Sequence, residues 1–182
     1  MKGVILRKGE TAYSCLSGAF SAIQPAVTEH NWLITDYENV PELLEPYSGN
    51  QGREAFFWVP GERLDEIVHQ QSFPWYWGVL SGFKREIPLQ EVLSHGLPYA
   101  DGYDGFWKNP VSIQHPLAEL EIVAWDSTLT LLISRDEAIV QAFRNAYPLS
   151  EDLETYNLGE PESEQWRKIW EEAERYYGDG GR

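Results

Sequence analysis

Four histidines, one cysteine and a close pair of aspartates are the side chains of this sequence best suited to chemistry. His30, His69, His95 and His115 stand far apart; none is paired at i, i+4 and no H-E-x-x-H occurs, so their spacing offers no zinc site. Cys15 is the only cysteine, which excludes an intrachain disulfide and any C-x-x-C metal or redox centre. As a nucleophile it would need a histidine brought near in space, and its place beside the apolar stripe of a helix predicts a buried, inert thiol instead. No G-x-S-x-G elbow is present, and Ser94 and His95 are neighbours only along the chain. Neither G-x-G-x-x-G nor G-x-x-x-x-G-K-[ST] appears. No metal and no cofactor is expected.

Asp101-Gly102-Tyr103-Asp104-Gly105 brings two carboxylates together, but Ser112 stands where the bidentate glutamate of a calcium loop would fall. The stretch reads as two tight turns. Trp107 follows closely, and the chain holds eight tryptophans, Trp58, Trp75 and Trp77 among them. One reading is a sugar-binding or glycoside-hydrolysing cleft, with Trp107 as stacking platform and Asp101 and Asp104 as the acid/base pair. The simpler reading is that tryptophans alternating along strands fill a core, leaving Trp107 as the exposed one.

Charge points elsewhere. There are 29 acidic against 14 basic side chains, a formal net charge of −15. Such a field repels phosphate backbones and anionic lipid surfaces, so neither direct nucleic-acid binding nor membrane binding is expected, and it attracts a basic protein. Two acidic stretches concentrate it: Asp36, Glu38, Glu42 and Glu45, with no Lys or Arg among them, and Glu151, Asp152, Glu154, Glu160, Glu162 and Glu164. The competing explanation is that acidic surfaces simply keep proteins soluble.

The elements that must position these groups are organised around Glu119 to Ser134. Leu120, Ile122 and Ala124 share one face of a strand, and Leu129, Leu131 and Ile133 share one face of a second, across an Asp126-Ser127 turn. Val123, Trp125 and Leu132 point to the other side, so this β-hairpin is expected at the centre of a sheet with both faces covered. Further strands are expected at Gly3 to Arg7, Trp32 to Thr35, Ala55 to Val59 and Trp75 to Phe83.

Ala12, Leu16, Ala19, Phe20 and Ile23 mark a helix ended by Pro25. Leu64, Ile67 and Val68 mark a second helix, Leu89, Val92 and Leu93 a brief third, and Glu137 to Ala146 a fourth, with a Ser134/Glu137 capping box. Leu97 to Pro116 is a long connection, of the kind often given to function. Pro161 and the stripe Trp166, Ile169, Trp170, Ala173 and Tyr177 predict a C-terminal helix, with residues 178–182 as a tail.

The expected fold is therefore α+β, a single domain over residues 1–177 built on an antiparallel sheet of about five or six strands flanked by helices. No apolar run approaches the roughly 20 residues that span a bilayer, and Val4-Ile5-Leu6 is too short for a secretory signal, so a cytoplasmic location is expected.

Two stretches, Trp75-Tyr76-Trp77-Gly78-Val79-Leu80-Ser81-Gly82-Phe83 and Glu121-Ile122-Val123-Ala124-Trp125-Asp126-Ser127, resemble a group of small bacterial proteins of unknown function. That group shares an early strand and helix, an aromatic strand ending near a Phe, and a late hairpin with Asp at its turn followed by a helix. In type, the chain also resembles bacterial immunity proteins, which block the toxin of a neighbouring gene. The resemblance implies no catalytic residue. Charge and resemblance together favour a non-enzymatic, immunity- or antitoxin-like inhibitor of a basic toxin or nucleic-acid-processing protein, with the two acidic stretches as its binding patches.

Overall fold

The computed structural model describes residues 1–159. The central hairpin forms at the expected strands, β6 (Leu120–Trp125) and β7 (Leu129–Ser134) in antiparallel register, but Leu132 lies on the face of Ile122, and Leu131 and Ile133 on that of Val123. Asp126 and Ser127 both hold positive φ (46° and 56°), the φ pattern of a type I′ turn, whose twist matches that of the strands it joins. The Thr128 N–H closes the turn by donating to the Trp125 carbonyl at 2.9 Å. The remaining strands are β1 (Lys2–Leu6), β2 (His30–Glu38), β3 (Ser48–Gln51), β4 (Glu54–Pro60), β5 (Trp77–Lys84) and β8 (Glu151–Asp152). They build one open, antiparallel sheet in the order β3-β4-β2-β5-β6-β7-β1-β8.

Eight strands replace the five or six expected. The additions, β3 and β8, are the two edges, reading Ser-Gly-Asn-Gln and Glu-Asp. Neither has an apolar face, so each joins through backbone hydrogen bonds that leave no periodic trace in the side chains.

Helices α1 (Leu16–Ala22), α2 (Ala26–Glu29), α3 (Gly61–Gln70) and α5 (Glu137–Ala146) contribute to the core on one sheet face, where Val4, Trp32, Ile34, Leu80, Ile122 and Leu132 are buried. The opposite face, with Ile5, Leu33, Val79, Phe83, Val123 and Leu131, is covered mainly by irregular chain. From the brief helix α4 (Leu89–Val92) through a 3-10 turn at Asp104–Trp107, the segment presses Val92, Ala100, Phe106, Val111 and Ile113 onto the strands, and α6 (Leu153–Gly159) adds Leu153. The long connection is thus a lid on the sheet, which is why both faces of the hairpin read as apolar.

Local chemistry sets the boundaries. Helix α5 spans the expected residues, but its N-cap is Asp136, whose carboxylate accepts the Ala138 N–H at 2.8 Å; Ser134 Oγ accepts the Asp136 N–H at 3.0 Å instead of closing a capping box. Helix α1 begins later than its stripe, at Leu16. At the start of α3, Gly61 lies so close to α2 that a Cβ there would stand 2.0 Å from the Val27 carbonyl oxygen and 2.5 Å from that of His30. No helix among the described residues is long and apolar enough to cross a membrane. The expected C-terminal helix and the 177/178 boundary lie outside the described residues.

Candidate functional site

The first acidic stretch gathers where β2 ends. The β2–β5 register shifts between Thr35 and Glu38, and Asp36 sits there with φ 45°. Such a bulge re-aims a side chain. Here the Asp36 carboxylate turns to the lid, where its Oδ2 accepts the N–H groups of Ala100 (2.6 Å) and Asp101 (2.9 Å). Glu38 follows, and Glu42 and Glu45 project from the 3-10 turn Glu42–Tyr47; all three are exposed and form no ion pair among the described residues. Burial and then the Glu45 charge push the nearby Tyr37 phenol above its ordinary range.

Beside this patch lies a cavity of about 200 Å³, lined by Thr35, Asp36, Glu54, Leu97 and Tyr99 among others. Glu54 is exposed at the start of β4, and Tyr99 is half exposed. Gln114 clamps the Tyr99 backbone on both sides, its Oε1 accepting the N–H at 3.1 Å and its Nε2 donating to the carbonyl at 2.9 Å. Thr35 is 1% exposed and its hydroxyl has no hydrogen-bond partner. Sequence reasoning found Asp36 but not Thr35, Glu54 or Tyr99, because only the β2–β4 pairing and the lid bring them together.

The described part of the second acidic stretch, Glu151, Asp152 and Glu154, is engaged internally. Glu151 pairs with Arg7 (2.9 Å) and Lys8 (3.2 Å), and Glu154 with Lys2 (3.5 Å). Asp152 accepts the Thr155 N–H and hydroxyl, both at 2.8 Å. Burial pulls the Asp152 carboxyl upward, but these two bonds outweigh it and hold the group below its ordinary range. Glu160, Glu162 and Glu164 lie outside the described residues.

Of the glycan candidates, Asp104 pairs with Lys108 and Asp101 is exposed on the lid. Trp107 is only half exposed: its ring packs edge-on to Trp125 at 5.1 Å and lies 6.1 Å from that of Tyr156. Trp75 is buried, and Trp77 tilts onto Trp125 at 5.0 Å.

A larger cleft of about 640 Å³ opens between α2 and α5. There His30 Nδ1 donates to the Ala26 carbonyl at 2.7 Å and Nε2 faces Glu119 at 3.4 Å, while Lys84 reaches the other Glu119 oxygen at 3.1 Å. Arg135 Nε donates to the Ala118 carbonyl at 2.8 Å. The Lys84–Glu119 pair and the contacts of His30 and Arg135 tie β2, β5 and the segment leading into β6 together, which is structural work. Elsewhere Ser21 Oγ lies 2.9 Å from His69 Nε2, and His69 Nδ1 3.3 Å from Asp65 Oδ1. This is the composition of a hydrolase triad, but the Ser21 hydroxyl donates to the Ser17 carbonyl and neither cleft includes these residues, so the bonds serve to join α1 to α3. Cys15 is half-buried, 3.1 Å from Ser72 Oγ.

One acid to which the sequence assigns no role stands out in the fold. Glu121, on β6, is fully buried beneath the lid; Ser81 Oγ and the Gln114 N–H approach its Oε2 at 3.4 Å, and its Oε1 has no partner. Burial pushes its carboxyl up to about 8, so it is neutral at pH 7. No three potential metal ligands cluster among the described residues.

The chain matches no protein-family model, and neither the curated proteins nor the solved structures contain a significant match to it. No residue role therefore carries over from a relative.

Proposed function

We propose that the protein is a non-enzymatic binding protein that captures a basic partner through the acidic end of its sheet, inhibiting a toxin-like or nucleic-acid-processing protein by occluding its substrate cleft. The observation that carries this reading is the pairing pattern. Lys2, Arg7, Lys8, Arg63, Lys84, Arg85 and Lys108 all pair with acids elsewhere, while Glu38, Glu42 and Glu45 stand exposed and uncompensated. These three carboxylates, close together in the chain where β2 ends, concentrate unpaired negative charge there, and such a patch steers a basic surface before contact. The second acidic stretch contributes less, since Glu151, Asp152 and Glu154 already have partners.

The glycan alternative draws less support, because neither cleft is lined by Asp101, Asp104 or Trp107.

The test starts from affinity capture at low salt to obtain the basic partner, followed by association kinetics with a Glu38→Lys/Glu42→Lys/Glu45→Lys variant. We expect association to slow at least about ten-fold at low ionic strength, with dissociation changing much less. An association rate equal to that of the native chain at low salt removes the steering claim.

A further inference from the structure

We propose that residues 88–118 detach from the sheet as one unit, and that the buried carboxyl of Glu121 decides when they do. Among the described residues, every backbone–backbone hydrogen bond of this lid stays inside it, such as Tyr103 N–H to the Ala100 carbonyl and Ala118 N–H to that of His115. It meets the rest of the chain through side chains. Asp36 accepts the Ala100 and Asp101 N–H groups, Gln51 Nε2 donates to the Leu93 carbonyl at 2.6 Å, and Arg135 Nε donates to that of Ala118 at 2.8 Å. A segment held outside the strand ladder can open without unfolding the sheet. Opening uncovers an apolar face with Leu33, Val79, Phe83, Val123 and Leu131.

Glu121 lies in register between Ser81 of β5 and Ile133 of β7, neither of which carries charge. Its Oε2 is met only at 3.4 Å, by Ser81 Oγ and the Gln114 N–H, and its Oε1 by nothing. The side chain of the same Gln114 clamps the Tyr99 backbone, so one residue joins the carboxyl to two parts of the lid. From the lid, the ionisable group that faces Glu121 is the Tyr103 phenol, which burial, and then the Glu121 charge, push above its ordinary range. Glu119, two residues earlier, is already engaged with Lys84 and His30, and no cation pairs with Glu121 among the described residues. Ionised under the closed lid, Glu121 would leave a charge in an apolar site with two long contacts and one bare oxygen. Opening admits water to both oxygens.

With the lid closed, burial holds this carboxyl up at about 8; with the lid open it returns to the ordinary glutamate value of about 4.3. Between the two values the open form releases the proton and the closed form keeps it, so opening becomes easier as pH rises and levels off above about 8. His115, inside the lid, stays neutral over the upper part of that interval. Its Nε2 donates to the Val92 carbonyl at 3.1 Å, its Nδ1 accepts the Leu117 N–H at 3.2 Å, and burial holds its pKa below the ordinary value.

The test is amide hydrogen exchange of the full chain, followed by NMR and corrected for the intrinsic pH dependence of exchange. Ala100, Asp101 and Gln114, whose N–H groups bond outward from the lid, report its opening, and the ladder amides of β6 and β7 report unfolding of the sheet. We expect the three lid amides to open more often than the ladder, with an opening constant that rises roughly ten-fold from about pH 6.5 to about pH 7.5. Glu121→Gln keeps the shape and an acceptor, and should flatten that rise while the lid still opens ahead of the ladder. Lid amides that exchange only together with the ladder overturn the proposal, as does an opening constant in the native chain that ignores pH. A rise that persists in Glu121→Gln overturns it too. The native chain alone decides the first two outcomes, so the test holds even for a variant that folds poorly.

Discussion

At the scale of single residues, Glu121 is the side chain that departs most from its solution behaviour. Folded, it keeps its proton up to about pH 8; unfolded, it ionises near 4.3, the ordinary glutamate value. Below that range both states hold the proton and pH has no effect through this group. Between the two values only the unfolded chain releases it, so stability declines as pH rises and levels off above about 8. Glu121→Gln keeps the acceptor and cannot ionise. Urea unfolding should show the variant gaining a few kcal/mol on the native chain at pH 9 and matching it within about 1 kcal/mol at pH 4. Parallel pH profiles for the two proteins would show that Glu121 does not titrate this way.

Nothing in the sequence marks Glu121. It occupies a strand position between Leu120 and Ile122 that an exposed glutamate would fill equally well, and only the lid turns that face inward. Glu38, Glu42 and Glu45, by contrast, were legible because they lie close in the chain with no cation between them. Thr35, Glu54 and Tyr99 were not, since three separate segments meet at their cavity.

At the scale of elements, legibility followed apolar periodicity. The hairpin, β2, β4, β5 and α5 each bury a regular face, and each was found; β3 and β8 bury none, and both were missed. The contact of α3 with α2 yields a test with an informative sign. Helix propensity alone favours alanine over glycine, so Gly61→Ala would stabilise a free helix. In the folded chain the new Cβ would meet two backbone carbonyl oxygens, which cannot rotate away as a side chain would. The expected outcome is a loss of about 2 kcal/mol and a fall in Tm on the order of 5 °C, measured by thermal unfolding. An unchanged or raised Tm would mean that α3 can slide off α2 at little cost.

At the scale of the molecule, a net charge of −15 opposes compaction, because acids outnumber cations and most cations among the described residues are already paired. Raising salt from about 10 mM to about 150 mM shortens the screening length from ~30 Å to ~8 Å. Tm should rise by a few degrees over that interval, since the exposed ion pairs being screened contribute little. A fall would show that those pairs outweigh the repulsion.

The place of β1 has a consequence for how the chain is made. Its partners come from the far end of the sequence: Lys2 stands opposite Ser134, and Val4 opposite both Leu132 and Asp152. At translation rates of about 5–20 residues per second, the first strand leaves the ribosome on the order of ten seconds before either neighbour exists. Throughout that interval the emerged strand carries the apolar run Val4-Ile5-Leu6 with no sheet to receive it, and its insertion between β7 and β8 is a late step in closing the fold.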